Sequence, residues 1–273
     1  MLGSMIHAFT IPASVEVAQR EKGHVRGLFD WLRNAPWTEP GFSALVLSFV
    51  MFGVLGGISG VIIGGVQINM LAHNTLTVPA HFHMTVVAGT TLAFMGITYY
   101  LVPLIFRREV FLPSWAKAQP WIYGLGMLVF GIGMGFAGHL EGLPRRHFDI
   151  HFGGLPLANG VFEGAAVDLY LAIMGIGAIL AFIGGGMYVI VAAGTVFLGR
   201  RSTTPDIGRV DAQAFALPTV SGASGEPEPE AHHDPNKFEA PGTFALATAF
   251  LVLFALLYAY SWIELSEVSW VIR

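Results

Sequence analysis

Five stretches of this chain, residues 42–66, 80–106, 120–137, 169–198 and 243–260, stay apolar for long enough to cross a lipid bilayer. A spanning helix needs about 20 mostly apolar residues. Hydrocarbon offers the backbone no water to bond, so such a segment must pair its own N–H and C=O groups as a helix. The expected fold class is therefore all-α, a polytopic transmembrane helix bundle of about five complete spans plus one partial N-terminal helix. The composition agrees: 54% of residues are hydrophobic and only 12% charged, with a mean hydropathy of +0.63, outside the balance of a soluble domain.

The partial helix is the opening, MLGSMIHAFTIPASVEVAQREKGHVRG. It lacks basic residues ahead of its apolar core, contains Pro12 and shows no small-residue cleavage pattern, so it does not read as a signal peptide. Residues 1–19 are expected to be the end of a helix that begins before Met1. Residues 20–198 then form the transmembrane core, 199–241 a polar linker around SGASGEPEPEAHHDPN, and 242–273 the last span with its outer tail. Basic residues set the orientation. Arg20, Lys22, Arg26, Arg33, Arg107, Arg108, Lys117, Arg200, Arg201, Arg209 and Lys237 fall on one side of an alternating topology, against Arg145, Arg146 and Arg273 on the other. The positive-inside rule makes the first side cytoplasmic, with linker 199–241, and puts loops 67–79 and 140–165 on the outer side. There is no cysteine for a disulfide or a thiolate site.

Within the second run, VPAHFHMTV places His81 and His83 in apolar surroundings. On a helix the two lie about 200° apart and leave opposite faces. One ion held by one helix would want i and i+4 spacing, so this pair suits two separate centres flanking the helix. Imidazole is a common axial ligand of haem iron, and haem is an apolar ring suited to the interior of a helix bundle. The plainer alternative is two satisfied polar residues near a helix end. Intramembrane ionisable groups are costly and mark functional sites, which favours ligation. Pro79 suits a first helical turn and puts both histidines near the outer end of their span. A haem there would turn its propionates outward, where Arg145 and Arg146 offer the guanidinium geometry that carboxylates bind.

These residues resemble a family. AHNTLTVPAHFHMTV is similar to the tenth helix of subunit I of the haem–copper terminal oxidases, in the form found in the B family. RGLFDWLRNAPW, the H-x-H helix, GLPRRHFDI and two further helices around a polar loop follow the second half of that subunit in order. The resemblance implies a respiratory cytochrome c oxidase of a prokaryotic cytoplasmic membrane. It would reduce dioxygen to water with electrons from cytochrome c or a similar donor, passed through a copper-bearing subunit II, and would pump protons. By the same resemblance His81 matches the proximal ligand of the high-spin haem, the catalytic centre, and His83 an axial ligand of the low-spin haem. Arg145 and Arg146 match the arginines that pair with propionates. His73 and Asn74 match a site above the high-spin haem implicated in holding pumped protons, and Asn69 stands where an aspartate is expected. GSMIHAFT resembles the end of the eighth helix, so Ser4 and Thr10 fit a proton-uptake path in which His7 replaces a threonine. The family's copper ligands and second low-spin ligand lie upstream of that helix. Copper in the parent enzyme is then held outside this chain, the missing N-terminal half of subunit I is a required partner, and the chain alone is expected to be inactive.

Two other readings stay open: a nitric-oxide-reducing relative of the same superfamily, and a split-gene haem-binding membrane subunit that is not catalytic alone. A transporter with intramembrane histidines lacks the inverted repeat it would need. His139, His147 and His151 read as solvated or interfacial, and His232 and His233 as part of the acidic linker. Tyr99 and Tyr100 read as an aromatic belt at the cytoplasmic end, and the methionines as packing. GIGMGFAG and AFIGGGMY favour close helix contact over nucleotide binding. No nucleic-acid partner is expected.

Overall fold

The structure, a computed structural model, describes the backbone of residues 2–146, 165–202 and 240–267. Among the described residues it is all-α, and five helices are long and apolar enough to cross a membrane: Pro40–Gly64, Thr77–Phe106, Pro113–Leu140, Ala166–Phe197 and Pro241–Tyr260. The expected runs fall inside these helices to within a few residues. The helices run on at their ends because polar residues extend an established helix even where they weaken its hydropathy.

Two units divide the chain. The first comprises residues 1–37 and 209–253. Its described elements are α1 (Leu2–Glu21), α2 (Asp30–Arg33) and the start of α10 (Pro241–Glu267). Glu16, fully buried on α1, accepts hydrogen bonds from the backbone N–H groups of Gly242 at 2.9 Å and Thr243 at 2.6 Å, and Arg20 Nε donates to it at 2.8 Å. A carboxylate there satisfies donors that the first turn of α10 cannot pair, and it complements the positive end of the helix dipole. Glu16→Ala strands those donors and Arg20 together. The expected cost is about 3 kcal/mol, read as a lowered melting midpoint of the detergent-solubilised protein.

The second unit comprises residues 38–208 and 254–273. Its first span is built from α3 (Pro40–Phe49), a π-helical segment Val50–Gly56 and α4 (Gly57–Gly64). The expected outer loop 67–79 is largely helical. It holds α5 (Val66–Ala72) and the first turn of α6 (Thr77–Phe82), which continues through a second π-helical segment, His83–Thr90, into α7 (Thr91–Phe106). Then come α8 (Pro113–Arg146) and α9 (Ala165–Phe197). The core joins Met51, Met84, Met95 and Met127 to Ala44, Leu92 and Ala181, so methionine does serve as adaptable filling.

Glycine sets the contact between α8 and α9. A methyl group on Gly177 would stand 2.6 Å from Phe130 Cα and 2.7 Å from Gly126 O, and one on Gly184 would stand 2.6 Å from Tyr123 N. From the other side, methyls on Gly126 and Gly133 would meet the backbone N atoms of Ala181 and Met174, each at 2.5 Å. The contacting glycines are two turns apart on each helix, so the backbones touch along one stripe as small-residue membrane contacts do. Gly177→Ala therefore forces the helices apart and is expected to lower the melting midpoint, at a cost of about 1–3 kcal/mol. Gly175→Ala, whose methyl would meet open space, should leave it unchanged.

Tyr99 corrects an expectation. It is buried, its hydroxyl donates to Gln119 Oε1 at 2.9 Å, and its ring meets Tyr188 edge-on at 6.0 Å. A phenol with an inward partner has no need of the interface, so Tyr99 belongs to the core and not to a belt. Tyr100 packs its ring over Gly41.

Candidate haem-ligand site

The turn that launches the histidine helix is made by the H-N-T sequence. His73 is the extended residue after α5, and its N–H donates to Asn69 O at 2.8 Å. Asn74 takes φ 61°, a left-handed conformation asparagine tolerates better than most residues. Thr75 Oγ1 donates to Ala72 O at 2.6 Å and accepts from Thr77 N–H at 3.3 Å, feeding the start of α6. Pro79 falls in the first turn, where its missing N–H costs nothing. Further along α8, a methyl on Gly138 would strike Thr77 N, so α8 passes directly against this launch point.

His81 and His83 then diverge. The His81 ring turns toward the first span, with Nδ1 2.9 Å from Ser59 Oγ and Cε1 3.1 Å from where a methyl on Gly60 would stand. The His83 ring turns toward α8, with its centroid 5.0 Å from that of Phe130. A hydrogen bond at Nδ1 holds each ring. Pro79 O can only accept, so His83 Nδ1, 2.7 Å away, carries a proton. Ser59 Oγ lies 2.9 Å from His81 Nδ1 and 2.7 Å from Leu55 O, so this hydroxyl ties the ring to the first span. Each ring is held from behind by an oxygen, as metal-ligating histidines are. Each histidine is only partly buried. Among the described residues no three His, Cys, Asp or Glu side chains converge on an ion site. A haem iron asks only for single imidazoles on separate faces, and the arrangement fits that group.

The remaining site residues are spread. Asn69 is exposed and its side-chain amide donates to Ile63 O at 3.1 Å, which ties α5 to the end of α4. Thr10 is exposed on α1 and its carbonyl accepts from Ser14 Oγ at 2.8 Å. Arg145 and Arg146 are the last residues of α8, and their side chains, like those of Ser4 and His7, lie outside the described residues. So do His147, His151, His232 and His233. Ser59 and Phe130 were missed in the sequence. Ser59 had a signal, a lone hydroxyl in GGISGVIIGG where polar side chains carry a cost. Phe130, one apolar residue among many, had none.

The profile of the family described as Cytochrome C and Quinol oxidase polypeptide I matches residues 1–180. Cytochrome c oxidase subunit 1 of Thermus thermophilus is 38% identical over 150 residues, 53% of this chain and 26% of that protein. Cytochrome c oxidase subunit 1 of Alkalihalophilus pseudofirmus is 28% identical over 197 residues, 70% of this chain and 29% of the relative. A solved structure, described as a cryo-EM structure of a heme-copper terminal oxidase dimer, matches with TM-score 0.61 and 25% identity, covering 94% of this chain and 42% of the other. The chain spans well under half the length of each of these proteins. With its paired imidazoles facing different helices and a profile match over most of its length, this chain belongs to the cytochrome c and quinol oxidase polypeptide I family.

Proposed function

We propose that this chain is the haem-ligand part of subunit I of a B-family terminal oxidase, which reduces dioxygen to water with electrons from cytochrome c and pumps protons. The observation that carries the reading is the placement of the two histidines. They leave opposite faces of one helix, with Nδ1 secured by Ser59 and by the Pro79 carbonyl. His81 serves the high-spin haem iron and His83 the low-spin haem iron. The haems would supply electron transfer and oxygen chemistry; the chain supplies their placement. Ser59 and Pro79 O hold each ring through Nδ1 at one angle. One rigid helix then fixes the spacing of the two centres.

Arg145 and Arg146 pair with propionates in this reading. Gly138 touches the launch point of the ligand helix, and Arg145 lies about 10 Å further along α8, on the outer side where propionates would emerge. His73, Asn74 and Asn69 form the proton-holding end of the path and Ser4 and Thr10 its entry. Copper is held by residues outside this chain, in the N-terminal half of subunit I, so the chain is inactive alone and works with that half and with subunit II. Its setting is a prokaryotic cytoplasmic membrane, with linker 199–241 cytoplasmic and loops 67–79 and 140–165 outside.

The test is the reduced spectrum of the purified complete complex with and without carbon monoxide. One haem that binds carbon monoxide and one that does not is the expected result. A single haem, or two that both respond, overturns the assignment of His81 and His83 to different centres.

A further inference from the structure

The span that carries both histidines changes its winding at His83. From His83 to Thr90 it is a π-helix, and the first span is π-helical over Val50–Gly56. The two wide segments lie together. A methyl on Gly89 would stand 2.6 Å from Phe52 Cβ and 3.0 Å from Phe52 N, and one on Gly56 would strike Thr85 Cγ2. A π segment bonds i to i+5 and returns to α-winding with a carbonyl left over, which needs a donor from outside the helix. Two hydroxyls from neighbouring helices donate into this segment. Ser48 Oγ, from α3, donates to Gly89 O at 2.6 Å, and Tyr123 OH, from α8, donates to Val87 O at 2.6 Å.

We propose that Ser48 and Tyr123 are positioning residues for the His83 imidazole, holding the π-winding that begins at that residue. The inference rests on His83 being the low-spin haem ligand. The ring's own contacts are Pro79 O, one turn earlier on the same helix, and the rings of Phe130 and Phe82. Pro79 O and Phe82 hold the ring relative to its own helix, and Phe130 braces it against α8, but none of the three sets the winding of the segment that follows. Ser48 and Tyr123 act on that winding. They grip the segment from two different helices, with Gly89 pressed on Phe52, and so fix how far the chain rotates per residue after His83. If both hydroxyls are removed, the carbonyls of Gly89 and Val87 lose these donors, and the segment is freer to rewind toward the α-helix. Rewinding turns His83 about the helix axis, whereas His81 stays bonded to Ser59 on the first span.

The test uses the purified complete oxidase with Ser48→Ala, Ser48→Thr, Tyr123→Phe and the Ala/Phe double variant. The readout is the electron paramagnetic resonance of the low-spin haem, whose g values report the axial imidazole's orientation, together with its reduction potential. Both should move in Ser48→Ala and in Tyr123→Phe, move further in the double variant, and return to the parent values in Ser48→Thr, with low-spin haem still bound. Unmoved g values and potential in Tyr123→Phe and the double variant overturn the proposal. If Ser48→Ala does not assemble, Tyr123→Phe decides alone, since it removes one oxygen and no packing volume. His83→Ala in the same background separates the two readings. If it keeps the low-spin signal, the ligand assignment fails. If it loses the signal while the hydroxyl variants stay silent, only the positioning role fails.

Discussion

His83→Ala in the complete oxidase is expected to abolish the low-spin haem spectrum entirely, and with it electron delivery to the oxygen-reducing centre. The reason is the lack of a replacement. The ring sits between Phe82 and Phe130, and neither can ligate iron. Its hydrogen-bond partner, Pro79 O, is a backbone carbonyl already engaged by the helix. Truncation leaves a pocket of imidazole shape with an acceptor at its back, so added free imidazole should restore part of the low-spin signal. That recovery distinguishes a missing ligand from a collapsed fold, because a collapsed site has no pocket to refill. Retention of the parent low-spin spectrum in His83→Ala sinks the assignment.

Much of this was legible in the sequence because two of its codes are strong. Long apolar runs admit only helices in lipid, so the spans were fixed to within a few residues. The H-x-H spacing dictates opposite faces on any helix, and the structure turns His81 to Ser59 and His83 to Phe130 as that geometry requires. The π-winding was not legible, because VMFGVLG and HMTVVAGT are apolar runs like their neighbours, and the winding depends on donors that arrive from Ser48 and Tyr123 on other helices. Tyr99 was misplaced for a related reason. Whether a tyrosine near a helix end faces lipid or core is decided by a distant partner, here Gln119 on α8. The helical content of 67–79 was hidden by its polarity, since α5 lies outside the apolar runs and is tied down by Asn69 on Ile63 O.

His81 allows a graded experiment, since the structure separates the ligand from the group that orients it. His81→Ala should remove the haem that binds carbon monoxide and reduce oxygen consumption to background, with the low-spin band intact. Ser59→Ala acts one step back. Without the hydroxyl, His81 Nδ1 loses its hydrogen-bond partner, and the ring loses the contact that holds it toward the first span. Loss of an outer-shell partner of this kind typically costs about 10- to 100-fold in metal-group affinity or activity. Ser59→Ala should therefore show that deficit in the retention of the carbon-monoxide-binding haem and in turnover. Gly60→Ala should reach the same end by another route, since its methyl would press at 3.1 Å on His81 Cε1 and tilt the ring without removing its hydrogen-bond partner. All three variants act on one haem only. A shift of the low-spin signal in Ser59→Ala would mean that the two histidines have been assigned to the wrong centres, because Ser59 touches His81 and lies across the ligand helix from the ring of His83.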